Sequence, residues 1–154
     1  MDKVRTIVTF YGSGFNTTKT QKHFINPGNY GDDLALYLAA EMEKEGAVLV
    51  KEDEFPGQED FGWFFDFIMD NKRYCLIVGG RPDEADKIEW VAWLERSCGF
   101  FASLFGGRNK NIGKEAYGLL HRVLSSSDKI SKVRWHLKED FDAGKEDAAG
   151  DKPF

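Results

Sequence analysis

Hydrophobic and polar positions first alternate over residues 4–11. Val4, Val8 and Phe10 fall on one side of an extended segment, with Ile7 and Tyr11 on the other. Apolar character on both sides predicts a central strand. A long polar connection follows, residues 12–28. From Gly31 the period changes: Leu34, Tyr37, Leu38 and Met42 recur at helical spacing, and Gly46 is placed to end the helix. Asp32 and Asp33 lie in its first turn, where the helix dipole favours negative charge. Residues 47–50 read as a short strand and residues 51–61 as an acidic loop around Pro56-Gly57.

The strongest alternation comes next. Trp63, Phe65, Phe67 and Met69 interleave with Phe64, Asp66, Ile68 and Asp70, and the pattern resumes with Tyr74, Leu76 and Val78. A two-residue loop at Asn71-Lys72 would set Phe65 opposite Val78, Phe67 opposite Leu76, Met69 opposite Tyr74 and Asp70 opposite Arg73. After the break at Gly79-Gly80-Arg81-Pro82-Asp83, Ile88, Trp90, Ala92 and Leu94 alternate with Glu89, Val91, Trp93 and Glu95. Residues 114–126 carry a second helical stripe of Ala116, Leu119, Leu120, Val123 and Leu124. Residues 132–138 close with Val133, Trp135 and Leu137 inward, and Arg134, His136 and Lys138 outward.

The element order is therefore β-α-β-β-β-β-α-β. Short connections predict an α+β fold, a mostly antiparallel sheet of about six strands with both helices on one face. The second face then carries Phe64, Ile68, Ile77, Val91 and Trp93, a patch that monomers seldom leave wet. Three covers are open: the Phe-rich segment 99–107, a partner protein, or a second copy of the chain. The same segment also suits a flap over a small apolar pocket.

Charge divides the 154 residues unevenly. The net charge is −5, and Glu139, Asp140, Asp142, Glu146, Asp147 and Asp151 supply most of it against Lys145 and Lys152. Residues 1–138 form the expected single domain; residues 139–154 read as a flexible acidic tail, too poor in apolar groups to fold alone. No basic stripe points to nucleic acid, and no apolar run approaches the ~20 residues that span a bilayer. With no secretory pattern at the start, the expected location is the cytoplasm. Cys75 and Cys98 show no CxxC spacing and read as reduced packing residues.

Candidate chemistry is sparse. Gly12-Ser13-Gly14 leaves a strand ahead of Thr17, Thr18 and Lys19, but lacks the spacing of a phosphate loop. His23 could join Asp32 and Asp33 as ligands if the long loop folds back, although helix capping explains those carboxylates, and no metal or other cofactor is expected. No nucleophile elbow or reactive-cysteine signature occurs, so the reading leans away from an enzyme.

Phe10-Tyr11-Gly12, Phe15-Asn16-Thr17, His23-Phe24-Ile25-Asn26-Pro27, Gly31-Asp32-Asp33-Leu34 and Phe61-Gly62-Trp63 resemble a family of uncharacterised bacterial proteins. The resemblance covers the first half of the chain and implies a bacterial origin only. Two functional expectations follow from the residues themselves. The first is a non-catalytic interaction protein, for instance an immunity-type inhibitor of a toxin, acting through Glu52, Asp53, Glu54, Glu59, Asp60, Trp63 and Trp93 with a protein partner or as a homodimer. The alternative is a small-molecule- or metal-binding protein or minor enzyme, with Ser13, His23, Asp32 and Asp33 as polar contacts.

Overall fold

The register of the central hairpin is set at Asp70-Asn71, where both residues adopt positive φ, 51° and 61°. A two-residue turn of this hand matches the twist of the strands it joins, and Asp and Asn tolerate the left-handed backbone it demands. Lysine is less suited to it, and the turn sits one residue earlier than the sequence suggests. In the computed structural model, which describes residues 3–51, 55–96 and 112–154, Phe65 therefore faces Leu76, Phe67 faces Tyr74 and Met69 faces Lys72. The register moves by two positions. Side chains alternate with a period of two, so each ring still points to its expected side. The charge pair changes partner: Arg73 Nε donates to Asp66 at 2.7 Å.

Around this hairpin the elements run β1 (Ile7–Gly12), α1 (Asp32–Lys44), β2 (Val48–Val50), β3 (Gly57–Glu59), β4 (Gly62–Met69), β5 (Lys72–Pro82), β6 (Ile88–Glu95), α2 (Lys114–Ser126), β7 (Ile130–His136), α3 (Lys138–Asp142) and a 3₁₀ turn at Glu146–Ala148. The fold is α+β. The strand order is β2-β4-β5-β6-β1-β7, with β3 alongside the start of β4. Every pairing is antiparallel. The strand absent from the sequence reading is β3, inside the segment read as an acidic loop. Its tight turn into β4 depends on Gly62, at φ 153°, where a Cβ would lie 2.2 Å from the Val78 carbonyl oxygen.

One face of the sheet takes both long helices. Leu34, Leu38 and Met42 of α1 and Leu119, Leu120 and Leu124 of α2 are fully buried with Phe10, Phe67, Leu76 and Trp135 in a single core. Burying each such side chain contributes about 1.5–3 kcal/mol. Trp63 belongs to this core as well, at 2% exposure, and is not the surface aromatic the sequence suggests. The polar connection after β1 folds over it: Trp63 Nε1 donates to the Asn29 carbonyl at 3.0 Å, and Phe24 packs edge-on at 5.0 Å.

The second face differs from expectation at its C-terminal end. His136 is read as outward and polar, yet it is buried. The cause is α3, which turns back across the sheet and sets Phe141 against the His136 ring at 5.3 Å. The acidic segment 139–154, read as a tail, is laid along the domain. Gly150 and Trp135 exchange backbone hydrogen bonds at 2.7 and 2.8 Å, Arg5 N donates to the Pro153 carbonyl at 2.7 Å, and Pro153 is buried. Cys75, read as a reduced packing residue, is disulfide-bonded. It is fully buried on the second face of the sheet, opposite Asp66 of β4 and Glu95 of β6. Cys98 and the expected covering segment 99–107 lie outside the described residues.

Candidate functional site

The long connection does fold back on the first helix, and it brings two of the four alternative site residues together. His23 Nε2 lies 2.9 Å from Asp32 Oδ2, with the histidine largely exposed and the aspartate mostly covered. Asp33 works differently: its carboxylate accepts from Asn16 N at 2.8 Å and from Leu34 N at 2.9 Å, pinning the loop to the start of α1. Ser13 stands apart, its amide bound to the Lys129 carbonyl at 2.9 Å. Among the described residues no group of three or more His, Cys, Asp or Glu gathers as a metal site would need.

The interaction residues divide in the same way. Glu52, Asp53 and Glu54 lie outside the described residues. Glu59 and Asp60 are exposed at the β3–β4 turn, and their backbone carbonyls accept from Asn29 Nδ2. Trp93 is half-buried on the second face, with Nε1 donating to Glu95 at 3.2 Å. Trp63 is on the opposite face, so the two tryptophans do not share a surface. Phe61 takes the place given to Trp63. It is 44% exposed, follows Glu59 and Asp60 directly, and its ring lies 5.8 Å from that of Trp93. Beyond Trp93 an apolar hollow of about 500 Å³ is lined by Ile7, Val91, Trp93 and Phe141 among others.

A third cluster escaped the sequence reading. On the second face, Thr9 and Tyr11 of β1, Arg81 of β5, Glu89 of β6 and Arg134 and His136 of β7 line a polar cleft with Glu146 of the 3₁₀ turn. Thr9 Oγ1 lies 2.8 Å from His136 Nε2. Arg81 reaches Glu89 at 2.5 Å and also bonds Glu146, and it covers the Phe141 ring at 5.2 Å. Burial works against the Arg81 charge, but the bonds to Glu146 and Glu89 carry its pKa above the ordinary value. Tyr11 donates to Asp83 at 2.8 Å; that bond, with some burial, pushes the phenol up to about 12 and holds Asp83 below the usual carboxylate range. Burial keeps His136 below the ordinary histidine value. The available signals were small: a threonine inside an apolar strand and a histidine at the end of the last strand.

No helix among the described residues is long and apolar enough to cross a membrane. Neither a protein-family model, nor a curated protein, nor a solved structure matches the chain.

Proposed function

We propose that this chain is a binding domain that docks a protein partner through Phe61 and Trp93, with Glu59 and Asp60 as an acidic rim. The carrying observation is the exposed Phe61 ring leaning on Trp93, directly after two exposed carboxylates. Val48 and Ile68, opposite one another across β2 and β4, add exposed apolar surface to the same sheet face. An aromatic anchor beside acids suits a partner with a basic surface around an apolar recess. One concrete form is an immunity-type inhibitor that covers the basic active site of a toxin in the cytoplasm.

The test is titration against the product of an adjacent toxin-like gene. Binding should weaken as salt rises, Phe61→Ala should lower affinity tenfold or more, roughly the loss of a hot-spot side chain, and Glu59→Gln with Asp60→Asn should slow association chiefly. Wild-type affinity in the Phe61→Ala protein removes this surface from the reading. Self-association through the same face is separated by sedimentation of the isolated chain. The small-molecule alternative keeps one supporting contact, the exposed His23 beside Asp32; a metabolite or metal that raises the melting temperature only when both residues are intact favours it.

A further inference from the structure

Where β1 ends beside the β5–β6 connection, a cleft of about 730 Å³ is lined by Tyr11, Gly12, Phe15, Ile88, Trp90 and Lys132 among others. Among the described residues it shares none with the Phe61–Trp93 surface or the His23–Asp32 pair. Trp90 is the unusual member. It is 1% exposed, yet its indole nitrogen makes no hydrogen bond among the described residues. A buried indole N–H ordinarily finds an acceptor. The benzene end of the ring is closed in: a Cβ on Gly31 would stand 3.1 Å from Cζ3, and one on Gly80 would stand 3.0 Å from it. Neither of those glycines lines the cleft. Gly12 does, and a Cβ there would stand 3.3 Å from Nε1 and 2.7 Å from Phe15 Cδ2. The pyrrole edge is therefore the part of the ring that meets the cleft, and the bare glycine leaves its donor uncovered.

The rest of the lining adds cations to an apolar wall. Lys132 Nζ lies 5.4 Å over the Tyr11 ring, and neither it nor Lys87 forms an ion pair among the described residues. Asp83 is already engaged, accepting from Tyr11 Oη, Ala85 N and Lys87 N at 2.8, 2.8 and 2.9 Å, which leaves Asp86 as the opposing carboxylate. We propose that this cleft binds a small aromatic carboxylate. Its carboxylate accepts from Trp90 Nε1 and meets the Lys132 ammonium, while its ring packs on Phe15 and Ile88. A neutral acceptor would leave the lysines unused, and a bare anion would leave the apolar wall unused.

Calorimetric titration of the full chain with phenylacetate tests this, with acetate, benzyl alcohol and inorganic phosphate as controls. Phenylacetate should bind at least about tenfold tighter than each control. In NMR spectra it should move the Trp90 indole N–H proton downfield, the signature of a new hydrogen bond. Gly12→Ala, which covers Nε1, should lower affinity about tenfold, and Lys132→Gln about fivefold. Asp86→Asn should raise it about threefold, the sign an anionic ligand requires. Trp90→Phe should remove most of the preference over benzyl alcohol; should that variant not fold, the other three, all at exposed positions, still decide. A tripeptide ending in phenylalanine distinguishes sources: tighter binding than phenylacetate assigns the carboxylate to a chain end, weaker binding to a free acid. Phe61→Ala should leave phenylacetate affinity unchanged, which keeps this result apart from the docking surface. Phenylacetate binding no tighter than a control, or full affinity in both Gly12→Ala and Lys132→Gln, overturns the proposal.

Discussion

Gln58 holds Asn26 from both sides, its Oε1 accepting from Asn26 N at 3.0 Å and its Nε2 donating to the Asn26 carbonyl at 3.1 Å. The same amide also bonds Ile25 N and the Asn29 carbonyl. One buried side chain thus imitates a strand for a loop that has none, and the loop in turn covers Trp63. Gln58→Ala should cost about 2 kcal/mol in urea unfolding, since several loop groups lose their partner while some reach water. Hydrogen exchange at Ile25 and Asn26 should accelerate in the same variant. Unchanged exchange there would show that the loop is held by something else.

The hairpin turn offers the opposite sign. Asn71 occupies the second left-handed position, with φ 61°. Glycine there creates Asp-Gly, a preferred pair for this turn. Asn71→Gly should be neutral to stabilising by about 0.5 kcal/mol, whereas Asn71→Val, branched at Cβ, should destabilise by 1 kcal/mol or more, roughly the strain of that region. Midpoints of denaturant unfolding at constant slope measure both.

These two sites also explain what the sequence could and could not disclose. Alternation over β4 and β5 identified each face correctly although the register was two residues out, because a shift of two preserves the side of every residue. Gln58 could not be read, since Gly57-Gln58-Glu59 carries no apolar signal and its burial depends on a loop over 30 positions away in the chain. Trp63 reads as exposed because its cover, the Asn29 carbonyl and the Phe24 ring, lies in a connection that reads as polar. His136 was placed outside because its cover, Phe141, belongs to a segment whose acidity reads as a tail. Local pattern carried the elements; long-range polar contacts placed the candidate sites.

Cys75 has a measurable consequence for compartment. The chain contains two cysteines, and no described cysteine is free. Alkylation of the denatured protein should label Cys75 only after reduction. Disulfides persist in oxidising compartments and are rare in the cytosol. Protein trapped with alkylating agent directly from cells therefore decides between locations: a labelled Cys75 matches the cytoplasmic reading, an unlabelled one an exported location.

Stability should also depend on pH through the two covered histidines. Burial is the first cause that holds both His136 and His121 below the ordinary value of 6.5. Glu146 and Glu89 oppose this at His136, while Arg134 and Arg81 reinforce it; at His121 the reinforcing charge is Lys152. For a base depressed in the folded state, the unfolded chain binds more protons between the two pKa values, so unfolding free energy rises with pH across that window. The contribution is complete above 6.5 and is lost as the medium is acidified through 6.5 toward the folded values. Denaturant midpoints between pH 7.5 and 5 should fall accordingly. The loss should be smaller in His121→Gln, which removes one titrating ring but leaves an amide to accept from Trp135 Nε1, the bond His121 Nδ1 now receives at 3.1 Å. An identical acid slope in that variant would assign the dependence to His136 alone, where protonation sets a charge against Arg81 and Arg134 and loosens Phe141 from the sheet.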